Sequence, residues 1–158
     1  MVSMIRIRYP FSLDLVCPCF VVLEPAVMHR VFQAYLKGLE DYTTDERGDV
    51  GSWIRIASIR GLCMIIELLF DIAPNLEPPG SLNIWLSPST HHEALGGILK
   101  QGVERLDNVR RHAGEYFRKL LRKGPPNVDG SEQWRVHNND LMEELFLRYV
   151  TYHAISKF

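Results

Sequence analysis

From Pro25 onward the hydrophobic positions fall into helical register. Val27, Val31, Ala34, Tyr35 and Leu39 recur at three- and four-residue steps, which predicts a helix from Pro25 to about Leu39. Pro25 suits a first turn, where its missing N–H costs no helical bond. A second helix is predicted from about Val50 to Ile72. It is apolar nearly all round, through Trp53, Ile54, Ala57, Leu62, Met64, Ile65, Ile66, Leu68, Leu69 and Phe70. Only Arg60, Glu67 and Asp71 form a clearly polar strip, so this helix needs neighbours on at least two sides. Pro74, Pro78, Pro79 and Gly80 then enforce a loop. Ser89 or Thr90 is placed to cap a third helix, with Glu93 completing a capping box. Its apolar face reads Ala94, Leu95, Ile98, Leu99, Gly102, Val103 and Leu106. A fourth helix over 108–123, capped by Asp107, sets Val109, Ala113, Tyr116, Phe117 and Leu120 against Arg111, Glu115, Arg118 and Arg122. GPPNVDGS at 124–131 is a loop. A last helix is predicted to start near Asn139 or Asp140 and to run through Leu141, Leu145 and Tyr149. Residues 1–24 show no clear period and read as an irregular extension with room for a short strand.

Two of the joints look alike. Asp49-Val50 leads to Arg55 and Ala57; Asp107-Asn108-Val109-Arg110 leads to Ala113. An Asp at a helix start accepts otherwise orphaned N–H groups and suits the positive end of the helix dipole. The small Ala lets helices approach. This pattern resembles the second helix of a HEAT repeat, a helix pair recurring about every 40–47 residues. The expected fold is therefore all-α, with antiparallel helix pairs of a HEAT/ARM-like α-solenoid, here truncated. Two repeats are few for a solenoid whose repeats bury one another's faces.

At 158 residues, 46% hydrophobic and 23% charged, the chain has the material for one packed domain. A net charge of −1 supplies no bulk attraction to nucleic acid or to a membrane surface. Cys17, Cys19 and Cys63 are too few and too oddly spaced for a disulfide framework or a zinc site, and read as reduced intracellular thiols. Arg6 and Arg8 precede an apolar stretch as in a signal peptide, but Asp14, Pro10 and Pro18 interrupt it. No run reaches the ~18 unbroken apolar residues of a membrane span.

The stretch DYTTDERGDVGSW at 41–53 separates the first two helices. Its Arg47-Gly48-Asp49 has the form of an adhesive tripeptide, but Gly48 reads better as a turn residue and Asp49 as the helix cap. Loss of a cap costs about 1 kcal/mol. Asp41, Asp45 and Asp49 are spaced by four and do not follow a calcium loop. His91, His92, Glu93, His112 and His137 include no metal-binding spacing. No nucleophile motif, P-loop or dinucleotide fingerprint occurs, so no catalytic residue, no cofactor and no enzymatic activity are expected. Residues 105–123 concentrate Arg105, Arg110, Arg111, Arg118, Lys119, Arg122 and Lys123. Tyr116 and Phe117 fall on the buried side and cannot stack on bases, which argues against nucleic acid. The run reads as a solvated helix face or a contact for an acidic protein.

The segment LEDYTTDERGDVGSWIRIASIRGL at 39–62 closely resembles the start of the C-terminal domain of the tubulin-folding cofactor D family, whose run has the form DDYTTDxRGDVGxWVR. ILKQGVERLDNVRRHAGEYFRKLL at 98–121 is similar to a second family segment with a QxxEKxDxxRxHA core. HNNDLMEELF at 137–146 gives a weaker third likeness. The resemblance covers residues 25–146, a HEAT-like segment, between the extension 1–24 and a divergent, helical tail at 147–158. Divergence at both ends suggests a truncated or mis-spliced product. The resemblance implies a cytosolic, cytoplasmic chaperone component that binds β-tubulin after the chaperonin and assembles the αβ heterodimer. It implies cofactors C and E and a small Arf-like GTPase as partners, and GTPase activation only within that larger complex. Asp49 and Asp107 are expected as structural caps, and Asp45, Arg47, Arg111, Arg118 and Arg122 as partner contacts. The alternative reading is a generic HEAT-repeat adaptor with a non-tubulin partner.

Overall fold

The computed structural model describes residues 24–76 and 80–145, together with the backbone of residues 6, 7 and 77. Strand β1 (Arg6–Ile7) leads the order. Helix α1 (Pro25–Gly38) follows, then the two-residue strands β2 (Thr44–Asp45) and β3 (Gly48–Asp49). Next come α2 (Gly51–Ile72), β4 (Leu76–Glu77), α3 (Leu82–Trp85), α4 (Pro88–Gln101) and α5 (Asp107–Lys123). A 3-10 turn at Ser131–Trp134 and helical residues 139–145 complete it. The strands are minor: β1 pairs antiparallel with β4, and β2 with β3. The rest of residues 1–23 and residues 146–158, including Cys17, Cys19 and Tyr149, lie outside the described residues.

The fold is all-α, built from two helix pairs stacked side by side. In the first pair, Gly38 lies against Ser58 and Gly61 against Tyr35, so residue numbers rise on α1 as they fall on α2. That is antiparallel packing, and a Cβ at Gly61 would come within 2.4 Å of the Tyr35 ring. Helices α4 and α5 form the second pair across a short turn at 102–106 and pack on each other. The pairs join through α2 and α5. The Cys63 thiol lies 3.8 Å from the Tyr116 carbonyl, Lys119 is 2.6 Å from Glu67, and Lys123 pairs with Asp71. These contacts keep an almost constant separation of 52 or 53 residues, so the two helices run parallel. Like helices side by side and parallel are the stacking of an α-solenoid.

Burial follows the predicted helices with informative departures. On α1 the buried side chains are Met28 and Phe32, one residue out of phase with Val27 and Val31; of the predicted series only Leu39, just past the helix end, is fully buried. Both series have helical period, and the larger side chains remove more apolar area from water. Helix α4 begins earlier than expected. Ser87, not Ser89 or Thr90, is the cap: its hydroxyl accepts from the Thr90 N–H at 3.1 Å, and Pro88 fills the first position. The helix stops at Gln101, so Val103 and Leu106 leave its buried face and lie exposed. Helix α2 has α1 on one flank and α5 on the other, yet one stripe remains open, with Trp53 65%, Met64 54% and Leu68 55% exposed.

The segment after α5 folds back over α4. Trp134 is buried and donates its indole N–H to the Leu86 carbonyl at 3.3 Å. Beneath this strap, His91 is buried against Phe70, ring centroids 5.2 Å apart, and its Nδ1 has no partner among the described residues. Burial first, and the neighbouring His92 second, push the His91 pKa down to about 4. The unfolded chain returns it to about 6.5, so the fold accommodates the neutral ring. The contribution is whole above pH ~6.5 and is lost as pH falls toward 4, roughly 3 kcal/mol across that window. We expect the urea midpoint to fall more steeply over this range in the wild-type chain than in His91→Leu. Equal slopes would mean that His91 is not buried as a neutral group.

Candidate functional site

The stretch 41–53 is folded tightly around one side chain, Arg55, which has no exposed surface. Its guanidinium donates to the Asp41 carbonyl at 2.5 Å and to the Asp49 carboxylate at 2.8 and 3.2 Å. It also stacks on the Tyr42 ring, 4.4 Å from the centroid. Burial opposes the charge on Arg55; the Asp49 hydrogen bond and its negative charge more than offset this and raise the pKa. The same bond is the largest cause holding the Asp49 carboxyl below its ordinary value. Asp49 also accepts the Ser52 N–H at 2.9 Å, while the Ser52 hydroxyl donates to the Asp49 carbonyl at 2.6 Å. The residue flanking α2 is Val50, so Asp49 performs its capping bond from one position further out.

The loop between the strands turns at Gly48, whose φ of +105° suits a residue without a side chain. Asp45 accepts from the Arg47 N–H at 2.8 Å and binds its guanidinium, which also sits 5.9 Å from the centre of the Trp53 ring. Both charged residues of the Arg-Gly-Asp tripeptide are thus engaged within the chain. At Gly51 a Cβ would lie 2.4 Å from the Asp41 carbonyl oxygen, which Arg55 already holds. No other residue fits that position without moving the loop backbone.

The cluster extends to the second helix pair. Gln101, fully buried at the end of α4, donates to the Leu39 carbonyl at 3.0 Å and to the Tyr42 hydroxyl at 3.4 Å. Tyr42 donates to Glu104 at 2.6 Å, and this bond raises the Tyr42 pKa. Lys100 pairs with Glu40 at 2.8 Å. The ends of α1 and α4 and the start of α2 are therefore tied together at one edge. Sequence reasoning overlooked Arg55 and Gln101 as members of this network. Each occupies a core position by helical step, Arg55 seven residues before Leu62 and Gln101 three after Ile98, and that placement was the available signal.

Asp107 differs from its expected role. It is the first residue of α5, with Leu106 as the flanking position, and it makes no capping bond. Its carboxylate pairs with Arg110 and is 84% exposed. The parallel contacts explain the difference: at their 52-residue step Asp107 lies level with Arg55, not with Asp49. The two joints share a sequence pattern but not a place in the stack. A carboxylate in the first turn still suits the helix dipole.

The basic run is largely matched by carboxylates. Arg111 pairs with Glu115 at 3.3 Å, Lys119 with Glu67, Arg122 with Glu143 at 2.8 Å, and Lys123 with Asp71. Arg118 is half-buried, and its Nε has no partner among the described residues. Phe117 is buried and Tyr116 stacks on His112, so neither is presented to bases. Among the described residues no three His, Cys, Asp or Glu side chains group as a metal site. Cys63 is buried, and burial, then the charge of Glu67, pushes its pKa up to about 12, so it stays a thiol.

Removing Asp49 does more than remove a cap, because it leaves the Arg55 charge buried without a mate. Asp49→Ala is expected to cost about 3–5 kcal/mol in urea denaturation. A loss near the ~1 kcal/mol of an ordinary cap would contradict the buried pair.

No solved structure matches the chain. Residues 92–156 match the family model described as tubulin folding cofactor D C terminal. The match covers most of α4, all of α5 and the segment beyond, including most of the tail 147–158 set apart as divergent. It begins after the Arg55 cluster's loop, so 39–62 lies outside the matched residues. Over residues 92–156, the chain is similar to the tubulin folding cofactor D C-terminal family.

Proposed function

We propose that this chain acts as a non-enzymatic chaperone component that binds β-tubulin during post-chaperonin folding and assembly of the αβ heterodimer. The observation that carries the reading is the family match over residues 92–156. The geometry is compatible with it: a two-pair solenoid held rigid at one edge and presenting helix faces is a binding scaffold. Among the described residues no helix is long and apolar enough to cross a membrane; the cytoplasmic place of action is part of the proposal and rests on the family match. Cofactors C and E and a small Arf-like GTPase join the proposed assembly as further partners. Stimulation of tubulin GTP hydrolysis belongs to that larger complex, a reading supported by Arg111, Lys119, Arg122 and Lys123 of α5 being paired with carboxylates of this chain. A generic adaptor with another protein partner is the competing reading.

Immobilised full-length chain is expected to retain purified αβ-tubulin at low salt and to leave its GTP hydrolysis unchanged when cofactors C and E are added. Loss of retention at low salt would reject the tubulin reading in favour of the adaptor.

A further inference from the structure

Helix α2 carries an open stripe that the packing of the two pairs does not use. Trp53, Ala57, Arg60, Met64 and Leu68 follow one another at steps of three and four residues and so share one side of the helix. The three large apolar members are 65%, 54% and 55% exposed. Single exposed apolar residues are ordinary, but a row of them on one helix side marks an interaction surface. The borders are built. Gly61 lies against Tyr35 on one flank, and Glu67 is taken by Lys119 on the other.

Charge narrows the occupant. Along α2, Arg55 is matched by Asp49, Glu67 by Lys119 and Asp71 by Lys123. Arg60 is exposed and has no ion-pair partner among the described residues. The uncompensated charge of this helix is therefore a single cation in the middle of the apolar stripe. An uncharged partner would cover Arg60 without giving it a mate, and a basic one would be repelled; both cost free energy. The stripe runs for about 22 Å, some four helical turns. Its backbone bonds are satisfied within α2, so it offers no strand edge to pair with. A helix laid along it is the complementary shape.

We propose that this side of α2 docks an amphipathic helix of a partner protein, with Trp53, Met64 and Leu68 receiving its apolar side chains and Arg60 pairing with one of its carboxylates. The tubulin reading bears only on which protein supplies that helix.

Trp53 provides a direct readout, since Trp85 and Trp134 are buried. The probe is a synthetic peptide of about 18 residues, free of tryptophan, with leucines on one face and glutamates on the other. Titrated into the full-length chain, it is expected to give a saturable blue shift that Trp53→Phe abolishes. Arg60→Glu is expected to weaken binding about tenfold or more, and Arg60→Lys to preserve it. Absence of the shift, or an equal shift with a peptide carrying lysine in place of glutamate, would overturn the proposal. Tubulin retention by the same variants separates this inference from the functional reading. Wild-type retention that Arg60→Glu and Leu68→Ser leave intact overturns the docking site and spares the tubulin reading. Failure of the wild-type chain to retain tubulin removes the tubulin reading, and the peptide titration alone then decides the docking site.

Discussion

A guanidinium with no exposed surface must find its carboxylate before the helix that carries it can pack. Arg55 meets that requirement through Asp49 and then recruits the backbone of Asp41 and the ring of Tyr42. The loop 41–50 has little freedom once those bonds are made. Its course brings Tyr42 to Glu104 and Gln101, and Lys100 to Glu40, so one buried charge fixes how the first helix pair meets the second. Burying an ion pair is a weak route to stability in itself, because desolvation opposes the attraction. Its effect here is to specify one loop conformation and one orientation of the pairs.

A second constraint acts along the length of α2. The Glu67–Lys119 and Asp71–Lys123 bridges are partly exposed, and such pairs contribute little stability, the first holding Lys119 above its ordinary pKa. They do keep α2 and α5 parallel and in register. The buried seam beneath them, with Cys63 and Phe117 fully enclosed, supplies the apolar area that drives the stack. With its flanks taken by α1 and α5, α2 has one side left over. A helix apolar nearly all round therefore leaves apolar residues in water, and that surplus is the surface on which the proposed partner helix would lie.

Helices with a long periodic pattern were legible in the sequence, α2 and α5 most clearly. The left-handed turn at Gly48 and the amphipathic split of α5 could also be read from residue type and spacing. Three features could not. The phase of α1 depended on side-chain size, since two interleaved series shared one period and only packing chose Met28 and Phe32. The start of α4 turned on Ser87 competing with Ser89 and Thr90, and the structure favoured the serine that precedes a proline. The polar network was hidden because Arg55 and Gln101 reach partners far along the chain; a helical pattern shows that such a residue points inward, not what it meets there. Asp107 carries the opposite lesson, because a repeated motif placed it where spatial stacking did not. The candidate contacts Arg111 and Arg122 were legible as cations but not as the ion pairs they form.

Asp49 and Arg55 act as one unit on which the loop and both helix pairs depend. A double-mutant cycle tests it most directly, combining Asp49→Ala with Arg55→Met and measuring unfolding free energies of the full-length chain in urea. A coupled pair predicts that the double variant is more stable than the sum of the single losses allows, by about 2 kcal/mol or more, since Met leaves no charge to strand. Additivity within ~0.5 kcal/mol would show that the two residues act independently and would contradict the account.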